Sequence, residues 1–174
     1  MPYDSKCISC PYNQQQHLPV NQRTLRNSPP IDLENNNSKT LLVFQAPGID
    51  EWEVGKAIQP TVKVGGSAGR RIKMSWDRCQ KQRIDFDIIN SVRCFPGNEG
   101  KRDLEPNVMA ICSCSQRLEN VLELNNYSKI IVFGGIANQV ITSICKKLNA
   151  KSKIIDAPHP NGGVSKETLD NLWK

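Results

Sequence analysis

The sequence predicts a three-layer α/β/α domain around a central, mostly parallel four-stranded sheet, and three observations carry that prediction. Short apolar, partly β-branched runs recur at Thr40–Phe44, Ile84–Asn90, Lys129–Phe133 and Ser152–Asp156. Runs of this kind suit strands buried on both faces. Stretches with helical periodicity separate the later runs, and strands alternating with helices build a parallel sheet covered on both sides. Finally, the runs stop at Ala46-Pro47-Gly48, at Asn90, at Gly134-Gly135 and at Ala157-Pro158-His159. Loops at the carboxyl ends of such strands are where open α/β sheets place their ligands.

Length and charge set the bounds. At 174 residues the chain is one domain by length, large enough for a real core. There is no run of 18 apolar residues, so no membrane span is expected. The N-terminus lacks a signal-peptide layout, which predicts a cytoplasmic protein. The net charge of +6 leans toward a polyanionic partner such as nucleic acid. Seven cysteines are many for such a chain, and metal or cluster binding outranks disulfides in a reducing compartment.

Residues 1–39 read as an irregular arm, carrying Cys7-Ile-Ser-Cys10 and then a polar segment. Cys-x-x-Cys lets two thiolates face one centre, but it is a half-site and needs two more ligands. His17 is a candidate ligand, although a surface histidine is the simpler reading. Thr40–Phe44 is the first strand, and it delivers acidic Asp50, Glu51 and Glu53 to the loop beyond its end. Gly65, Gly66, Ser67 and Gly69 precede or open a helix to about Gln82, with Arg70 and Arg71 beside them. That arrangement suits an anion at the helix N-terminus. It lacks the Gly-Lys-Ser/Thr of a P-loop, and a capped helix after a connecting loop is the plain alternative. The second strand ends at Asn90, and Cys94 follows four residues later.

Pro106 begins a helix to about Leu124 with Val108, Ile111, Leu118, Val121 and Leu122 on one face. At about 100° per residue, Cys114 lies within roughly 50° of that face and Cys112 well off it. After the third strand, Ala137, Val140, Ile141, Ile144 and Cys145 mark a helix whose cysteine is a core residue. The fourth strand leads to Ala157-Pro158-His159-Pro160-Asn161-Gly162-Gly163, and a last helix spans roughly Lys166 to Trp173.

Four features stand in order along the chain: Cys7-x-x-Cys10, Gln45-Ala46-Pro47-Gly48-x-x-Glu51, Asn90-x-x-x-Cys94 and His159-Pro160. Together they make the chain resemble the family 4, iron–sulfur uracil-DNA glycosylases, over nearly its whole length. The resemblance implies one [4Fe–4S] cluster held by Cys7, Cys10, Cys94 and Cys114. Cys114 is chosen over Cys112 because the family's following Leu and Gly fall at Leu118 and Gly134. Zinc in the same thiolates is the chemical alternative.

The resemblance also implies excision of uracil from DNA, through a base flipped out of the stack. Asn90 would read the uracil edge, and His159 would donate toward O2 as negative charge develops on the leaving base. Gln45 and Ala46 would frame the base, with Gln45 or Glu51 placing water and stabilising the cationic sugar. Gly66, Ser67, Gly69, Arg70 and Asn161 are the candidate phosphate contacts. DNA is the expected partner and a monomer the expected state. The chain departs from the family at Gln45, where Glu is usual, at Asn161, where Ser is usual, and in lacking the Pro-Phe whose ring stacks on the base. Two other readings stand beside this one: a glycosylase for another deaminated base such as hypoxanthine, and an iron–sulfur DNA-binding protein without catalysis.

Overall fold

The computed structural model describes residues 7, 10–12, 30–59, 67–100, 102–160 and 163–174. Its centre is a parallel sheet of β1 (Thr40–Phe44), β2 (Asp87–Asn90), β5 (Lys129–Phe133) and β6 (Lys153–Ala157), in the order β2-β1-β5-β6. The predicted four-stranded α/β/α class is the observed one, and every pairing in this sheet is parallel. Register places Phe44 beside both Asn90 and Phe133, and Phe133 beside Ala157. The carboxyl ends of the four strands therefore finish on one line.

Alternation along each strand divides the core in two, as a period of two requires. Leu42, Phe44, Ile88, Ile131 and Phe133 pack against Trp52, Ile72, Trp76, Leu169 and Trp173 on one face. These come from α1 (Ile49–Val54), α2 (Ala68–Arg78), α5 (Lys166–Asn171) and the residues after it. Leu41, Val43, Ile89, Ile130 and Val132 face the other way, toward α3 (Val108–Leu124) and α4 (Gly135–Leu148). Strands without an exposed face cannot carry polar alternation, which is why their sequences read as continuous apolar runs.

Several boundaries differ from the sequence reading. The second strand begins at Asp87, because Arg83–Asp85 form a turn of 3-10 helix closed by a reciprocal Gln82–Asp85 cap. Ile84 is consequently exposed rather than in the sheet. The third helix starts at Val108, with the Asn107 side chain accepting from Met109 N–H. Val108 is 71% exposed, so it leaves the predicted apolar face. Two elements were not foreseen: α1, and a small hairpin of β3 (Asn98–Glu99) and β4 (Arg102–Asp103). The end of the arm is also more ordered than expected. Glu34 bridges antiparallel to Ile88, and Arg93 fixes Ile31, Pro30 and Asp32.

Candidate active site

The loop after β1 is held by its neighbour strand. Phe44 O accepts from Ser91 N–H, while Gln45 O accepts from Val92 N–H at 2.9 Å and Ser91 Oγ at 2.8 Å. The Gln45 carbonyl is thus consumed within the fold, which leaves its side chain as the part available to a ligand. That side chain crosses Gly134, where a Cβ would stand 3.2 Å from Gln45 Oε1. Gly134 has φ 102°, so glycine is required there for conformation and for space.

Beyond Gln45 a cavity of about 220 Å³ opens at the carboxyl ends of the strands. Phe44, Gln45 and Ala46 form one side, Ala57 and Ile58 an apolar wall, and Glu51, Asp103 and His159 a polar one. Gly48 makes the close approach of the carboxylates feasible. A Cβ there would lie 2.7 Å from Glu51 Oε2 and 3.4 Å from Asp103 Oδ2. Burial pushes the Glu51 carboxyl above its usual range, against hydrogen bonds from the backbone of Glu51 and Gln59, and Asp50 and Asp103 add to the rise. Asp103 is raised by burial and by Asp50, while His159 pulls it back. Burial lowers the His159 imidazole below the ordinary histidine range, partly offset by Asp103. At neutral pH the ring is therefore uncharged, the form that donates one N–H toward a developing anion.

Asn90, the predicted base reader, is 1% exposed at the end of β2 beside Phe44. Neither its Nδ2 nor its Oδ1 has a hydrogen-bond partner. Leaving a buried polar group unsatisfied costs about 1–3 kcal/mol, so a fold rarely keeps one without a use. Asn90 itself is not part of the cavity lining; it lies one strand over from Phe44, which is.

The predicted phosphate contacts divide. Ser67 lines the cavity, and its hydroxyl caps α2 by accepting from Arg70 N–H at 3.2 Å. Gly69 is buried within the first turn of the helix, and Arg70 is exposed. Gly66 and Asn161 lie outside the described residues, as do Gly65, Lys101 and His17. Arg71, read from sequence as extra positive charge, is committed elsewhere. Its guanidinium donates to Pro160 O and to Val164 O, bracketing the loop that carries His159.

Cys7, Cys10, Cys94 and Cys114 line one small cavity with Tyr12, Pro30 and Arg93. The family resemblance had implied these four, and they come together from the arm, the loop after β2 and α3. Burial pushes the Cys114 thiol up to about 11, and Cys94 rises further through burial and the charge of Cys114 and Cys10. The buried Arg93 guanidinium pulls both the other way. Among the described residues no three His, Cys, Asp or Glu form a set that could hold a single metal ion. Cys112 is exposed on α3, Cys145 is buried in the core, and Cys79 lies against Asp170 O.

Sequence reasoning missed Asp103, Ala57 and Ile58 as site residues. Ala57-Ile58 stands shortly after the Gln-Ala-Pro-Gly motif, where an apolar pair in an otherwise polar stretch was the available signal. Asp103 gave none, since it belongs to an unforeseen hairpin.

The site thus joins a histidine and carboxylates around one cavity at the carboxyl end of a parallel sheet, with the unpaired Asn90 amide one strand over. The sequence pattern of the uracil DNA glycosylase superfamily matches residues 31–174, and the chain belongs to that superfamily. At that level its class is DNA glycosylase, and DNA is the partner that goes with it. No curated protein matches the chain. No helix among the described residues is long and apolar enough to cross a membrane.

Proposed function

We propose that the protein hydrolyses the N-glycosidic bond of uracil in DNA, without strand cleavage, and carries a structural [4Fe–4S] cluster. The observation that carries the base reading is the buried Asn90 amide with both polar atoms unpaired beside the cavity. An amide offers one donor and one acceptor, the pair that uracil O4 and N3–H require. His159, uncharged at neutral pH, donates toward O2 and stabilises the departing anion. Glu51 lies at the cavity wall where positive charge develops on the sugar, and Gln45 orients the water. Ser67 and Arg70 at the start of α2 are the described residues offered to the flanking phosphates, with Gly66, Gly69 and Asn161 completing that set.

Convergence of Cys7, Cys10, Cys94 and Cys114 on one cavity supports the cluster. The four-cysteine pattern of the family resemblance favours the iron–sulfur cluster over zinc in the same thiolates. When bound, the cluster cross-links the arm to α3, and the catalytic residues stand outside it.

The second reading, a different deaminated base such as hypoxanthine, draws on the departures from the family at Gln45, at Asn161 and at the missing Pro-Phe. A stacking ring contributes roughly 1–3 kcal/mol per base, and here no aromatic side chain was matched to that role. Single-turnover assays on oligonucleotides carrying uracil or hypoxanthine, run beside a gel shift, separate the readings. Release of uracil with an intact abasic strand is the expected result. Binding with no base released would leave an inactive DNA-binding protein.

A further inference from the structure

The first residue of the motif after β1 cannot take the proton from the attacking water. Gln45 is an amide and cannot accept a proton at neutral pH, and His159 is assigned to the leaving base, which leaves the cavity carboxylates Asp50, Glu51 and Asp103. Glu51 already accepts hydrogen bonds from its own backbone N–H and from Gln59. Asp103 is carried by the β3–β4 hairpin, whose residues are exposed, so water reaches its carboxylate. Asp103, Glu51 and His159 line this cavity together, and a Cβ on Gly48 would stand 2.7 Å from Glu51 Oε2 and 3.4 Å from Asp103 Oδ2.

We propose that Asp103 is the general base of the hydrolysis: its carboxylate accepts one proton from the water that attacks the sugar. This rests on the glycosidase reading above. In the step, the water oxygen bonds to C1′ as the C1′–N bond breaks. The bonding pair leaves with the base as its anion, and the water proton moves to Asp103. The groups acting on Asp103 are Asp50 and His159, and those acting on Glu51 are Asp50 and Asp103. Asp50 keeps the pair from ionising cheaply. The base is thereby tuned above the ordinary range of Asp, closer to its working pH.

The test is Asp103→Asn, with Asp103→Glu as the conservative control, in single-turnover excision across a pH series. A folding artefact is separable by sign. A carboxyl whose folded pKa is raised contributes stability below its unfolded pKa and loses it as pH rises through the folded one. Removing the charge should therefore leave the melting temperature at neutral pH equal or higher. We expect Asp103→Asn to slow excision by about 10²–10⁴ and to abolish the acidic limb of the rate profile. Affinity for an oligonucleotide with a non-cleavable uracil analogue should stay unchanged, and Asp103→Glu should recover part of the rate. Wild-type rate and profile in Asp103→Asn would overturn the assignment while leaving the glycosylase reading intact. A slower variant with the acidic limb retained would overturn it too, in favour of a structural role. Wild-type protein that releases no base would remove both.

Discussion

At the scale of single residues, Asn90 has the clearest signature, because its cost and its use are tied together. Its amide is enclosed, and neither end is paired. If it reads uracil, Asn90→Asp keeps the shape and changes the hydrogen-bond pattern. A carboxylate cannot donate to O4, but it can accept from the amino group of cytosine. A correct bidentate contact is worth about 1–3 kcal/mol of discrimination. Asn90→Asp is expected to lose uracil excision at least tenfold, on the order of that energy, with a trace of cytosine release. Single-turnover rates on matched uracil and cytosine oligonucleotides, with melting as the folding control, measure it. Unaltered uracil excision in a stable variant would take Asn90 out of base recognition.

Legibility in the sequence followed how local each signal was. Asn90, His159 and Glu51 were visible because each follows a strand run, and the run predicts where its end must lie. Cys7 and Cys10 were visible through their spacing, and Cys94 and Cys114 through the family resemblance. Asp103 was not. It stands in a two-residue strand of polar residues, turned at Gly100 with φ 60°, and no periodicity can develop over so short a span. Arg71 was visible as charge, but its partners Pro160 and Val164 lie 89 and 93 residues away. Separation of that size is set by the fold alone.

At the scale of elements, α2 is the bracket of the site. Its N-terminus carries Ser67 to the cavity, its second residue pair clamps the His159 loop through Arg71, and its far end docks α5. That docking is polar as well as apolar. Trp173 Nε1 donates to Ser75 Oγ at 2.8 Å, and Ser75 donates in turn to Asp170. Arg78 makes a two-pronged contact to the same carboxylate at 2.9 and 2.7 Å. Hydrogen bonds from Arg78 and Ser75 hold the Asp170 pKa down to about 2. A depressed carboxyl contributes stability above its unfolded pKa, about 3.9, and loses it as pH falls through the folded value. Asp170→Asn should thus melt below wild type at neutral pH, and the gap should close as pH falls from about 4 toward 2. A gap that stays constant across that window would mean the ion pair contributes nothing.

The same element makes a kinetic prediction. Arg71→Ala removes both anchors of the loop and deletes no side chain that lines the cavity. Misplacing a catalytic group by about 1 Å can cost about 10²-fold in rate, so excision should slow while DNA affinity holds. Arg71→Lys, with one donor centre in place of a fork, should fall between the two. Equal losses of rate and affinity would make Arg71 a phosphate contact after all.

At the scale of the whole molecule, one small apolar core lies between the cysteine cavity and the candidate active site. Cys10, Val92 and Ala110 form a third small core, and Ala46, Ile111, Tyr12 and Cys114 pack against it. Ala46 also lines the catalytic cavity. Tyr12 reaches across as well, its hydroxyl accepting from Asn107 N–H at 2.6 Å just before α3. A cluster in this position would fasten the arm, the loop after β2 and α3 behind the loop that frames the base. Without it, two thiols of strongly raised pKa are left around a buried arginine, and the arm is held by the Tyr12 and Arg93 hydrogen bonds and small apolar contacts. Protein purified without oxygen is expected to be brown, with broad absorbance near about 400 nm and roughly four irons per chain. Cys114→Ala should lose the colour, whereas Cys112→Ala and Cys79→Ala should keep it, because those two lie away from the cavity. Cys114→Ala should also melt lower and excise more slowly, although no cysteine lines the catalytic cavity. Stoichiometric zinc in place of iron would replace the cluster with a mononuclear site. Colour lost with melting and excision both unchanged would separate the two cavities and make the cluster a bystander to catalysis.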